Sequence, residues 1–63
     1  MKNNLAQLRY QLNMSLSELS HLSGVSKGHL WKIEQGYRIP TVPVAYAICR
    51  AMGKTIGEVF PDG

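Results

Sequence analysis

The side chains able to do chemistry in this 63-residue chain fall into two unequal sets. The first holds Lys27, Gly28, Trp31 and Lys32, which recur at i, i+1, i+4 and i+5 and therefore share one side of any helix that contains them, with His29 beside them. Two lysines, an indole and a glycine suit a helix that lies against an anionic groove better than one that merely faces solvent. The second set is catalytic in type and too sparse to act. His21, His29, Cys49 and the four acids Glu18, Glu34, Glu58 and Asp62 offer no nucleophile beside its base and no metal-ligand spacing. The expectation is binding without catalysis, with neither metal nor cofactor. Cys49 reads as packing on an apolar helix side, and His21 as a surface residue at the negative end of its helix.

The lysine side has to be carried by Ser15 to Gly36, SLSELSHLSGVSKGHLWKIEQG, which reads as two short helices joined by a tight turn. Ser15 with Glu18 three residues on is a capping box, in which each side chain satisfies the other residue's free amide. Met14 before the cap and Leu19 after it predict a hydrophobic staple that sets the entry angle of the chain. Ser26, Val25 and Leu30 repeat the same grammar for the second helix. Gly24 and Gly36 fall where a left-handed residue ends each helix without steric penalty. On the second helix Leu30 and Ile33 take the core side, so the lysine side is displayed.

Around this unit the chain supplies braces. Asn3 or Asn4 caps a first helix of about residues 4 to 12, with Leu5, Leu8 and Leu12 at helical spacing and Asn13 suited to a left-handed stop. Pro40 disfavours helix at Ile39, and Thr41 caps a fourth helix that tolerates Pro43 in its first turn. Val42, Ala45, Ile48, Cys49 and Met52 are expected to line one side of that helix, and Gly53 to end it. Thr55 with Glu58 is a second capping box, opening a last short turn that carries Ile56, Val59 and Phe60. No alternating run supports a strand, so the fold class is all-α in a single domain over 1–63.

Composition narrows the function classes. Seven basic against four acidic residues give a net charge of +3, a mild lean toward polyanions. One cysteine excludes an internal disulfide and fits a cytoplasmic setting. No apolar run approaches the roughly 20 residues that span a bilayer, and Met1 to Asn4 leads into an amphipathic segment rather than a signal peptide.

Leu8-Arg9, Ser15-x-x-Glu18-Leu19, Gly24-Val25-Ser26, Leu30, Ile33-Glu34-x-Gly36, Pro40 and Gly53 together resemble the lambda repressor-like helix-turn-helix domain of Cro and phage repressors, the XRE family. The resemblance runs from about Leu5 to Phe60, and its joint spacing rather than any one position carries it. It implies a compact five-helix domain whose recognition helix, about 26–35, enters the major groove of double-stranded DNA. It also implies a homodimer on two half-sites roughly 34 to 36 Å apart. Carried over by position, Lys27, Gly28, His29, Trp31 and Lys32 are the base-contacting residues. Leu16 and Ser17, through the amide end of their helix, and Tyr37 and Arg38 contact phosphates. Arg9 and Glu34 match a structural ion pair of the family. Three positions depart from the pattern: Leu16 stands where relatives usually carry Gln, Gly28 removes a reader, and Trp31 replaces a small or polar residue.

The function implied is a sequence-specific transcriptional regulator, a small repressor, bound to an operator. Lys32 suits a guanine, Lys27 reaches either a base or a phosphate, and Trp31 presses on a thymine methyl or sugar or folds back as surface cover. The competing reading keeps the fold as a protein-interaction module, an antitoxin or antirepressor, and draws on Trp31 and the missing Gln at position 16. Ile56, Val59 and Phe60, if not fully covered by the core, provide the motive for a dimer.

Overall fold

The structure, a computed structural model, describes residues 3–61; the first two and last two residues of the domain expected over 1–63 lie outside the described residues. Five helices and no strand form there: α1 (Leu5–Gln11), α2 (Leu16–Ser23), α3 (Lys27–Glu34), α4 (Val42–Met52) and α5 (Ile56–Val59). Local chemistry sets most of their ends. Ser15 Oγ accepts from the Glu18 amide at 3.0 Å while Glu18 Oε1 accepts from the Ser15 amide at 3.0 Å, so α2 opens on a closed capping box. Thr55 and Glu58 do the same for α5 at 3.2 and 2.9 Å. That Thr55 amide, followed by the Thr55 side chain and nearby Lys54, holds the Glu58 carboxyl below the usual carboxylate range. Asn13, Gly24, Gly36 and Gly53 all take positive φ, at 53°, 76°, 82° and 66°.

The turn between α2 and α3 is tied twice more. Ser20 Oγ donates to the Val25 carbonyl at 2.6 Å, and the Val25 amide donates to Ser23 Oγ at 3.2 Å. Below it, α2 packs on both α3 and α4, and α4 on α5. Leu5, Leu19, Leu30, Ile33, Ile48 and Val59 are fully buried where these helices meet, with Val25, Cys49, Met52 and Phe60 around them. Fully burying a side chain of this size is worth about 1.5–3 kcal/mol. This cluster therefore outweighs the caps, at about 1 kcal/mol each, in holding the fold.

Several details differ from the sequence reading, each for a local reason. Leu12 follows the last residue of α1 and is 40% exposed, because the chain has already turned toward Asn13; the buried partner of Leu5 one turn on is instead Arg9. Asn4 occupies the cap position of α1 with no side-chain cap bond, and Asn3 Oδ1 accepts from the Leu5 amide at 3.0 Å in its place. Asn4 is occupied elsewhere, donating through its amide to the Val59 carbonyl at 2.9 Å and through Nδ2 to the Glu58 carbonyl at 3.0 Å. Thr41 also occupies its cap position without a side-chain bond, and Pro43 sits in the first turn of α4, where its missing amide hydrogen costs no helical bond. Val42 is 68% exposed rather than in line with Ala45, Ile48, Cys49 and Met52. Side chains lean toward a helix's N-terminus, so one on the first residue overhangs the helix start instead of reaching the core.

Among these features Arg9 is the costliest to satisfy. Its Nε donates to Glu34 Oε2 at 2.7 Å, Nη2 to Oε1 at 3.4 Å, and Nη1 to the Met14 carbonyl at 2.8 Å. The two side chains are 8% and 3% exposed. Hydrogen bonding to Glu34 raises the Arg9 pKa against the opposing effect of burial, so the guanidinium stays charged. Arg9→Met alone leaves Glu34 buried and unpaired and should cost about 3 kcal/mol, read as the urea midpoint. The double change Arg9→Met with Glu34→Leu should recover most of that loss, and an unchanged midpoint in the single variant would refute the coupling. Two glycines should respond to Ala with opposite signs, although an added Cβ meets open space at both. Gly53→Ala should lose about 1 kcal/mol because φ is positive, whereas Gly28→Ala, inside α3, should gain up to about 1 kcal/mol by urea titration.

Candidate nucleic-acid interface

Helix α3 presents two sides that its sequence separates cleanly. Leu30 and Ile33 are fully buried, while Lys27, Gly28, Trp31 and Lys32 are exposed. His29 is half-buried at the edge between the two sides, its amide donating to Ser26 Oγ at 3.3 Å as part of the α3 cap. The outward face thus carries two free-standing ammonium groups around a bare stretch of backbone at Gly28, followed one turn later by the indole of Trp31. Its inclination to the rest of the molecule is fixed from behind. Asn3 Nδ2 donates to the Ile33 carbonyl at 2.8 Å and Glu34 holds Arg9, so both α1 and its leading residue grip the last turn of α3.

Helix α3 ends in a two-bond turn. The Gly36 amide donates to the Ile33 carbonyl at 3.0 Å and the Tyr37 amide to the Lys32 carbonyl at 2.9 Å, with Gly36 left-handed between them. This is the Schellman arrangement, whose usual companion is an apolar contact between the residue after the glycine and the last turn of the helix. Here that contact is aromatic: the Tyr37 and Trp31 ring centroids are 5.7 Å apart with planes inclined at 58°. Tyr37 and Arg38 are both exposed beyond the end of α3, and they continue the displayed surface of α3 along the connecting segment.

The start of α2 supplies a second polar element. Its capping box occupies the amides of Ser15 and Glu18 and leaves those of Leu16 and Ser17, in the first turn, with no acceptor among the described residues. Ser17 is exposed, but the Leu16 side chain is half-buried and packs against the core. Leu16 can therefore offer its amide only. The spacing that groups Lys27, Trp31 and Lys32 on one displayed side holds in the structure, and the ring contact adds Tyr37 beside Trp31. The signal was present in Gly36, since a Schellman glycine predicts that the next residue folds back on the helix.

An apolar surface lies at the other end of the connecting segment. Ile39, Pro40, Val42, Ala45, Tyr46, Ile56 and Phe60 line an open apolar groove of about 240 Å³, with Ile39 and Val42 about 70% exposed on its rim. Val59 and Phe60 are buried, so the apolar end of the chain gives no free surface of its own and Ile56 is half-covered at the groove wall. Cys49 is buried on α4, where desolvation pushes its thiol up and keeps it protonated. Among the described residues no three His, Cys, Asp or Glu side chains are grouped to hold a metal ion, and no helix is long and apolar enough to cross a membrane.

Comparison with known proteins agrees with this architecture. Residues 5–59, from the start of α1 to the end of α5, match the helix-turn-helix family. The uncharacterized HTH-type transcriptional regulator YgzD of Bacillus subtilis (strain 168) is 32% identical over 60 residues, covering 95% of this chain and 91% of that protein. The capped helix pair, the left-handed turn between its halves and a match spanning all five helices place the chain in the lambda repressor-like helix-turn-helix family.

Proposed function

We propose that the chain is a sequence-specific transcriptional regulator, a small repressor in the cytoplasm, that sets α3 into the major groove of an operator. The observation that carries this reading is the division of α3, whose apolar side is wholly spent on the core while its lysine side faces out. Lys32 donates to a guanine edge and Lys27 to a base or an adjacent phosphate, with His29 at the margin of the contact. At Gly28 the bare backbone admits the closest approach of the duplex. The amides of Leu16 and Ser17, at the positive end of α2, and Tyr37 with Arg38 hold phosphates on either side. The half-withdrawn Leu16 side chain makes this phosphate contact backbone-only, so its affinity is less sensitive to substitution at 16 than at Ser17.

The protein acts as a homodimer in this reading. Its face is the groove rimmed by Ile39 and Val42 and walled by Tyr46, a surface whose lining holds no charged residue in a chain of net charge +3. Two copies meeting there bury apolar lining against apolar lining, and no residue of α3 lines the groove. The same groove and the exposed Trp31 are also what favours the second reading, a protein-interaction module of antitoxin or antirepressor type.

Selection from a random duplex pool should enrich a paired motif, and salt titration on that duplex should give a slope of about −0.9 per phosphate contact. Lys27→Glu with Lys32→Glu should weaken binding by at least about tenfold through repulsion alone. Failure to enrich any motif, with a partner captured whose affinity ignores salt, selects the second reading. In sedimentation, Val42→Asp should convert a concentration-dependent dimer to monomer while its helical circular dichroism is kept; a wild-type chain that is monomeric both alone and on the selected duplex would remove the dimer.

A further inference from the structure

The Trp31 and Tyr37 rings form one unit, and its geometry carries more than end-of-helix packing. Trp31 lies one turn after Lys27 on the displayed side of α3 and remains 45% exposed, although an indole is large enough to fold onto the surface beside it. What occupies that flank is Tyr37. Its amide is bound to the Lys32 carbonyl at 2.9 Å and its backbone is turned by left-handed Gly36, so the residue is anchored against the end of α3, with its phenol ring 5.7 Å from the indole and tilted at 58°. Tyr37 is itself 70% exposed and shields only the indole side turned toward it. The rest of the indole points the way the lysines point. A ring with a neighbour against one side has fewer orientations open to it than a bare one, and so loses less conformational freedom on contact.

We infer that Tyr37 is a positioning residue that braces Trp31 for contact with the C5-methyl group of a thymine, and that the pair makes the protein prefer A·T at that step. This inference rests on the proposed reading of α3 in the major groove. Among base edges in that groove the thymine methyl is the apolar one, and a braced indole with no hydrogen-bonding partner among the described residues is matched to it. The hydroxyl of Tyr37 remains free for a phosphate, so bracing and phosphate contact are separable functions of one side chain.

The test uses the duplex enriched from the random pool, in two forms: as selected, and with uracil replacing thymine, which deletes the methyl and nothing else. The wild-type chain should bind the thymine form about fourfold more tightly, the value of one buried methylene-sized group. Tyr37→Phe should keep that ratio even where overall affinity falls, because the ring remains. Tyr37→Ala and Trp31→Ala should bring the ratio to about one. Trp31 is the chain's one tryptophan, so its emission reports on this site: it should shift when the duplex is added, and in the free protein it should move to the red in Tyr37→Ala. Neither side chain belongs to the buried core, and cooperative urea unfolding of each variant confirms that it folds. A duplex bound with no change in Trp31 emission, equal affinity for both forms, an unaltered ratio in Tyr37→Ala, or a selected half-site lacking thymine each overturns the inference while leaving DNA binding intact. If no duplex is bound, the functional reading fails first and this inference with it.

Discussion

The buried pair between Arg9 and Glu34 is the constraint on which the placement of the displayed helix depends. Apolar burial is non-directional: Leu30 and Ile33 favour α3 lying on the core but tolerate a range of rotations about the contact. The guanidinium does not. With donors on both Glu34 carboxylate oxygens and on the Met14 carbonyl, Arg9 satisfies its hydrogen bonds only when α1, the turn after it and the last turn of α3 are in one mutual arrangement. The net stability of such a pair is small, because desolvation of both charges offsets most of their attraction. Its penalty for misplacement is large, since any arrangement that separates the partners leaves a charge in the interior. Directional cost rather than net stability is what an orientation-dependent surface requires.

The remaining polar contacts repeat this division of labour at lower energy. Asn3 joins the start of α1 to the end of α3, Asn4 joins it to the end of α5, and Ser20 closes the turn between α2 and α3. Each link is one or two bonds worth about 1 kcal/mol net apiece, well below the contribution of the buried aliphatic cluster. In a chain of 63 residues, which buries only about 60% of its unfolded surface, apolar area is scarce and is placed where the helices cross. Angles are left to hydrogen bonds. The two glycine stops before α3 and after it complete the arrangement, since positive φ at Gly24 and Gly36 reverses the chain in the least space.

What was legible in the sequence follows the range of the interaction. The capping boxes at Ser15 and Thr55, the stops at Asn13, Gly24, Gly36 and Gly53, and the burial of Leu30 opposite exposed Lys27 and Lys32 all depend on residues within one or two turns of each other, and each was readable from spacing. Arg9 with Glu34 spans 25 positions, and only the family resemblance pointed to it. The misplaced residues sit at element ends: Leu12 beyond α1 and Val42 at the first position of α4. Periodicity says which side of a helix a residue faces, but not whether the core extends as far as that turn. The groove between Ile39, Val42, Tyr46 and Ile56 was invisible for the same reason, as its walls come from a connecting segment and two helices.

The size of the displayed face bears on how many copies the proposed contact needs. Helix α3 has eight residues, of which two are fully buried and two are half-buried, so no more than a few side chains per chain are available to base edges. A good bidentate base contact discriminates by about 1–3 kcal/mol, and the lysines, with single flexible ammonium groups, belong at the lower end of that range. One copy thus reaches only the lower part of the roughly 4–10 kcal/mol that separates specific from non-specific sites. A second copy on the same duplex doubles the number of base contacts and adds the linkage between half-sites, provided that its α3 is held at a fixed distance and inclination from the first. A flexible recognition helix would lose that gain to disorder. Rigidity within the protomer, imposed on α3 from behind by Arg9 and Asn3, is therefore the property that would make the proposed self-association near α4 useful to a helix this short.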